Sequence, residues 1–357
     1  MKILITGICG FVGSALAKQL LHRLEGLELS GLDNFIRPGS ELNRKQLTAA
    51  GVKLFHADIR NASDLETLPE VDWVIDAAAN PSVMAGVDGK TSSRQLVEHN
   101  LSGTINMMEF CKRVGAGFVL ISTSRVYSIP GLSHLEMQVA DRAFVPASDQ
   151  KFPVGISRRG VAETYTTQAP VSLYGATKVA SEIMALEYGE TFDLPVWINR
   201  CGVLAGSGQF GRPDQGIFSF WIHSWKQGRA LKYIGFDGEG HQVRDCLHPE
   251  DLAEMVVMQV KTGTDDTKTS IQNLSGGAEN VMSLRQLSDW CGKRFGEAEV
   301  ATEHNDRPFD IPWMVLDSSL ANEAWDWAPK RSIESVLEEI ARHAEKAPDW
   351  LDVSEPY

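Results

Sequence analysis

Tyr174-Gly-Ala-Thr-Lys178 sets a phenol and an ammonium four residues apart, a spacing that puts both on one face of a helix. A positive charge beside a phenol stabilises the phenolate and draws its pKa towards working pH, which a general acid/base needs. The same ammonium can bond a ribose hydroxyl. Tyrosine and lysine at this spacing occur by chance in many helices, so the pair takes its meaning from the residues around it.

A second set of residues suits a dinucleotide. Thr6-Gly7-Ile8-Cys9-Gly10-Phe11-Val12-Gly13 follows an apolar segment and opens a helical one. There Gly7 allows a tight turn, Gly10 lets the backbone approach a pyrophosphate, and Gly13 permits close helix–strand packing. The helix start at Phe11 and Val12 then faces the phosphates. The spacing is GxxGxxG, one residue longer than GxGxxG. Asp33, with Asn34 beside it, follows Gly13 by twenty residues, where a carboxylate accepts hydrogen bonds from both ribose hydroxyls of an adenosine. This favours NAD over NADP, whose 2′-phosphate would meet like charge; Arg37 nearby keeps NADP open. Asp58-Ile59 stands where such folds hold an adenine, with helix capping as the alternative for Asp58. Ala77-Ala78-Ala79 leaves room for the cofactor backbone.

The elements that must position these residues are legible in the periodicity. Apolar runs at 2–6, 27–32, 52–56, 72–78, 117–123 and 194–200 read as strands buried on both faces. Amphipathic helices fall at 12–23, 94–114 and 175–188, so the order is βαβαβ. The fold class is α/β, a Rossmann-type doubly wound parallel sheet with a smaller C-terminal substrate-binding domain. The reading assigns 1–201 and 238–266 to the dinucleotide-binding domain, with a helix at 245–260, and 202–237 and 267–357 to the second domain. Residues 128–172, rich in Pro, Ser and Gly, read as a long functional loop.

Composition narrows the function. The 357 residues are 43% hydrophobic and 23% charged, ordinary for a globular chain and incompatible with collagen-like or disordered classes. A net charge of −13 argues against nucleic-acid or anionic-membrane partners, so anionic ligands must be held by local guanidinium groups. Five cysteines without a CxxC pair read as reduced thiols in a cytoplasmic protein. The apolar stretch at 3–17 is interrupted by glycines and does not read as a secretory signal. No His/Cys/carboxylate set has metal-ligand spacing.

These motifs occur in one order: the glycine loop, Asp33-Asn34, Asp58-Ile59, Ser122-Thr123-Ser124-Arg125-Val126-Tyr127, Tyr174-xxx-Lys178 and Arg244-Asp245-Cys246-Leu247-His248-Pro249-Glu250-Asp251. Together they resemble an extended short-chain dehydrogenase/reductase of the nucleotide-sugar epimerase/dehydratase group, over essentially the whole chain. The resemblance implies NAD as cofactor and a nucleotide-diphosphate sugar as substrate. It places Thr123 against the reacting sugar hydroxyl, Tyr174 as proton-transfer base and Lys178 as its activator, steadied by Asn100. Thr123 also reads as an ordinary β-branched strand residue. Ser124 and Arg125 lie beside the sugar, Arg244 and Arg307 at the diphosphate, and Gln209, Phe210 and Arg212 along the sugar or base pocket. Surface salt bridges are the alternative for both Arg244 and Arg307.

His248 belongs to a structural turn, Asp251 caps the following helix, and Trp325 to Trp327 pack in the core. A 4,6-dehydratase is disfavoured, because Ser124-Arg125 stand where that reaction needs Asp-Glu. The long insertion before Tyr174, Asp214-Gln215-Gly216 and Gln242-Val243-Arg244-Asp245 resemble the branch that inverts C2 of CDP-paratose to give CDP-tyvelose. A UDP-sugar 4-epimerase is the alternative among enzymes, and a catalytically silent dinucleotide-sensing protein the alternative outside them. The resemblance further implies a homodimer joined by the helix carrying Tyr174 and the one at 100–114.

Overall fold

The computed structural model describes residues 1–354 except 88, 90, 266 and 306. The first half alternates strand and helix: β1 (Lys2–Thr6), α1 (Phe11–Arg23), β2 (Glu28–Asp33), α2 (Glu41–Ala49), β3 (Lys53–His56), β4 (Trp73–Asp76), α3 (Gly103–Val114), β5 (Gly117–Thr123), α4 (Ser172–Phe192) and β6 (Val196–Cys201). Then follow α5 (Ile217–Lys226), α6 (Pro249–Thr262), β7 (Ile271–Leu274), α7 (Leu284–Phe295) and α8 (Ile333–Lys346). The seven strands form one parallel sheet in the order β3-β2-β1-β4-β5-β6-β7. The order reverses between β1 and β4, and ligands of such sheets bind in the crevice at that switch point, beyond the carboxyl ends of the strands.

The apolar runs form strands because both faces are covered. Ile3, Ile5, Leu16, Leu20, Leu252 and Met255 fill one side, and Val74, Met107, Phe110, Leu120 and Ala185 the other. Each of these side chains except that of Ala185 is worth about 1.5–3 kcal/mol on full burial. A separate core joins Phe218, Trp221 and Trp225 of α5 to Leu287 of α7 and Leu337 and Ile340 of α8.

Three expectations need correction. The helix predicted over 245–260 begins only at Pro249, because Val243–Leu247 is a strand paired with Val203–Leu204, Val281–Ser283 and Trp313–Met314. Residues 271–274 are the outermost strand of the large sheet, and Ala321, Trp325 and Trp327 pack into its core. The stretch from 267 is therefore shared between the two cores rather than belonging wholly to the second. The supposed loop at 128–172 contains a short helix, Ile129–Ser133, and two hairpins, Met137–Ala140 with Ala143–Pro146 and Ile156–Ser157 with Gly160–Val161. Leu132, Val161 and Tyr165 are buried there against Trp313 and Leu316, so this segment is packed structure whose strands are too short to show a period. All five cysteines are buried free thiols. Among the described residues no helix is long and apolar enough to cross a membrane.

Candidate active site

The glycine loop joins β1 to α1 at the switch point. Gly7 has φ +60°, and a Cβ there would lie 2.9 Å from the Ala78 backbone. A Cβ on Gly13 would lie 2.3 Å from the Gly7 carbonyl oxygen, so this helix can approach the loop only with glycine at that position. Gly10 is the N-cap of α1; no side chain caps the helix and its first turn holds no acidic residue. Phe11 and Val12 thus open a helix whose first-turn N–H groups suit an anion. Asp33, at the end of β2, accepts from the Cys9 N–H at 2.9 Å and the Phe35 N–H at 2.8 Å. Burial raises its carboxyl, with those backbone donors opposing. Asp33 therefore shapes the loop, while a carboxylate's remaining lone pairs stay available to a ribose.

Further along the strand ends, Asp58 pairs with Arg60 at 2.6 Å and accepts from the Asn34 amide at 3.0 Å. Burial would raise its carboxyl, but these partners hold it well below the usual carboxylate range. Asn61, not Asp58, stands at the N-cap before Asp64. Ile59 faces the core against Gly103, and its carbonyl accepts from Asn106, so its side chain is not at the cleft.

Ala77, Ala78 and Ala79 leave β4 along the crevice, the first two half-buried and the third exposed. The Thr6 hydroxyl accepts from the Ala77 and Ala78 N–H groups and donates to buried Asp76 at 2.6 Å. Asn100 was expected to steady Lys178. Instead its side chain clamps Asn80, accepting from the N–H at 2.8 Å and donating to the carbonyl at 3.0 Å, and it reaches Thr177. It sits in a π-helical turn, Glu98–Ser102, a distortion common near functional sites.

Thr123 ends β5, and the paired register sets Cys201 of β6 beside it. Tyr174 is buried on α4, and the next residue, Gly175, packs against the Arg125 carbonyl in the turn after Thr123. Lys178, one turn on, is buried and donates to the Ile121 carbonyl at 3.0 Å. The electrostatics depart from expectation. Burial pushes the Tyr174 phenol up to about 12, opposed by Thr123 and by the charge of Arg125, with the Cys201 thiol adding to the rise. Burial pulls the Lys178 ammonium down, against Asp76, Glu182 and Cys201. Ser124 and Arg125 form a 3-10 turn after Thr123. Burial and then Arg244 lower the Arg125 guanidinium to about 10, so it remains a cation at neutral pH.

The strand at Val243–Leu247 and the segment 307–311 contribute further guanidinium groups. Arg244 pairs with Asp310 at 2.8 Å and donates to the Ile311 carbonyl. Arg307 donates to the Pro213 carbonyl at 3.1 Å, so it meets the neighbouring loop rather than a surface carboxylate. In that loop the Gln209 amide donates to the Leu204 carbonyl, and Arg212 donates twice to the Ser354 carbonyl. Phe210 stacks on Trp350 with centroids 5.2 Å apart. Gln209 and Arg212 are thereby engaged within their own loop and the C-terminal segment. Arg37 donates to the Phe210 carbonyl and to Gln215. The feature that kept NADP open is accounted for by this clasp.

His248 caps α6 through its ring nitrogen, and Asp251, expected as the cap, instead accepts from the Lys330 and Arg331 N–H groups. Trp325 and Trp327 are core residues, as read.

Sequence reasoning missed a buried network beneath the site. Glu182 accepts from Ser122 and forms a bidentate pair with Arg200, whose shortest contact is 2.6 Å. Arg200 also reaches the Tyr127 hydroxyl, which donates to Asn273 at 2.7 Å. The available signal was Glu182 standing four residues beyond Lys178, continuing the Tyr174 face of α4. Asp310 carried no signal, because its partner Arg244 is 66 residues away.

This chain matches the NAD dependent epimerase/dehydratase family over residues 3–274. It is 28% identical over 359 residues to the CDP-paratose 2-epimerase of Salmonella typhi, covering 95% of this chain and 98% of that protein. It is 27% identical to the UDP-glucuronate 4-epimerase of Thermodesulfobacterium geofontis, over 94% of this chain and 93% of that one. Among solved structures it resembles the Bacillus cereus UDP-glucuronic acid 4-epimerase in complex with UDP-glucuronic acid and NAD. That likeness has a TM-score of 0.76 at 25% identity, with 97% and 99% of the two chains covered. The family match runs from the first strand of the large sheet to its last, and the chain belongs to the NAD-dependent epimerase/dehydratase family.

Proposed function

We propose that the chain is an NAD-dependent nucleotide-sugar epimerase that inverts C2 of CDP-paratose to give CDP-tyvelose. The observation that carries the epimerase reading is Thr123 at the carboxyl end of β5 together with buried Tyr174 and Lys178 on α4, whose Gly175 packs on the carbonyl of the turn that follows Thr123. NAD is the cofactor of this family, and the cleft suits it: the space a Cβ would fill at Gly7 and Gly13 is used for close packing, and α1 opens uncapped. Similarity along the whole chain to a CDP-paratose 2-epimerase supports the choice of carbon and base. Likeness to UDP-glucuronate 4-epimerases supports inversion at C4 of a UDP-sugar as the second reading. Ser124-Arg125 disfavours dehydration, because no acid follows Thr123 to protonate a leaving hydroxyl.

When bound, NAD supplies the reversible hydride exchange through which a keto sugar forms transiently and is reduced on its other face. The chain's own groups handle the proton. Tyr174 as phenolate takes it from the sugar hydroxyl and returns it when the alcohol reforms, and the Thr123 hydroxyl holds that oxygen in line. Lys178 anchors the strand end through Ile121 and offers an ammonium to a ribose. Arg244 and Arg307 are the guanidinium groups we assign to the substrate diphosphate.

Proton NMR of CDP-paratose with the protein and catalytic NAD tests the assignment through the sugar H1 and H2 signals. Conversion to a tyvelose mixture without net NADH supports it. Absence of conversion with NAD demonstrably bound rejects C2 of this sugar, and turnover of UDP-glucuronate would move the reading to C4. We further infer a homodimer, because Leu173, Ile183 and Phe192 of α4 are exposed apolar residues, Ile183 at 55%. Light scattering that gives a monomer mass would end that inference.

A further inference from the structure

We propose that residues 208–216, fastened by Arg37, Ser82 and the C-terminal segment, form a strap over the dinucleotide cleft that sets how fast the cofactor enters and leaves. The proposal rests on NAD as the cofactor and not on which sugar the chain turns over.

Three anchors place the strap at the switch point. Arg37, just beyond the end of β2, donates to the Gln215 Oε1 at 2.7 Å and to the Phe210 carbonyl. Ser82, beyond the end of β4, donates to the Asp214 carboxylate. Strands β2 and β4 flank β1, so a segment bonded beyond both of their carboxyl ends passes over the end of β1, where the glycine loop begins. Phe11, the first residue of α1, marks the same path: a Cβ on Gly206, just before the strap, would lie 3.4 Å from its ring. A dinucleotide laid on the glycine loop with its ribose at Asp33 therefore lies beneath residues 208–216.

The C-terminal segment fastens the strap a second time. Trp350 stacks on Phe210 and donates its indole N–H to the Gln209 carbonyl at 2.9 Å. The Ser354 carbonyl accepts twice from Arg212, and its hydroxyl donates to the Gly211 carbonyl. Gly39, in the loop after β2, completes the clamp: a Cβ there would lie 2.8 Å from both the Phe210 ring and the Val353 side chain. At the strap's two ends Gly208 and Gly216 have φ +75° and +63°, conformations that glycine adopts without steric cost, and these are the hinges on which it would open. Every one of these bonds lies within the chain, so the strap obstructs entry as well as exit. A side chain that merely touches the cofactor acts chiefly on release, whereas a strap scales association and release together.

Stopped-flow fluorescence with NADH as the probe tests this. Mixing NADH with the chain gives the association rate, and displacing it from the loaded chain with excess NAD gives release. Arg37→Met removes two of the strap's hydrogen bonds and should speed both rates about tenfold, leaving Kd within about twofold of the parent value. Trp350→Leu should speed both to a smaller extent. Amide hydrogen exchange of residues 208–216, followed without nucleotide, should quicken in both variants. Unchanged rates overturn the proposal, and so does faster release without faster association, which would make Arg37 a cofactor contact. Should Arg37→Met fail to fold by circular dichroism, Ser82→Ala takes its place with the same paired acceleration expected. A chain that binds no NADH also overturns it. A chain that binds NADH but turns over no nucleotide sugar loses the function proposed above, while the paired rates still decide the strap.

Discussion

Single residues at the switch point carry sharp expectations, one for the proposed chemistry and one for the cofactor loop. In the reaction we propose Tyr174 exchanges the proton, so Tyr174→Phe should lower kcat about 10²–10⁴-fold while leaving NAD binding in place. NMR turnover and a fluorescence titration with NAD check the two halves. Gly13 shows how little freedom the cofactor loop has. In Gly13→Ala the new methyl meets the Gly7 oxygen and the Ile8 Cα, and neither can retreat without moving the loop. We expect a loss of about 1–3 kcal/mol in stability from the overpacking, read from a urea midpoint, together with weakened NAD binding.

Between α4 and the sheet, the Glu182–Arg200 pair does for elements what Thr123 does for residues. It joins the helix bearing Tyr174 and Lys178 to β6 and, through Ser122, to β5. Both partners are buried, so removing one leaves an uncompensated charge. Glu182→Leu or Arg200→Met should each cost about 3–5 kcal/mol, whereas the double variant Glu182→Leu with Arg200→Met should cost less than their sum. Equilibrium urea unfolding of the four proteins measures the coupling. Additive losses would show that the pair contributes nothing as a pair.

Across the whole molecule, buried histidines set the response to acid. Burial pushes His223 down to about 3, aided by His343 and Arg229, and it also lowers His343 and His99. Above about pH 6.5 these rings are neutral in folded and unfolded chains alike, and their contribution to stability is fully present. Below that value the unfolded chain binds protons first, so stability falls as the pH drops towards the folded values. The melting temperature should therefore decline from pH 7 to pH 4, and more shallowly in His223→Asn. An equal slope in that variant would assign the acid sensitivity to other groups.

Much was determined by the sequence itself. The strands at β1 and β5, the glycine loop, Asp33, and the Thr123, Tyr174 and Lys178 set all lie within short runs whose period or spacing is local. The tertiary structure decided whatever depends on residues distant in the chain. It gave β7 to the large sheet from a region read as a separate domain, and it built hairpins from residues 128–172 whose strands show no period. It turned Asn100 towards Asn80, Arg37 towards Phe210, and Arg125 towards Phe309. Spacing along a helix reveals which side chains share a face, but burial and charge at a site are summed over elements that only packing brings together.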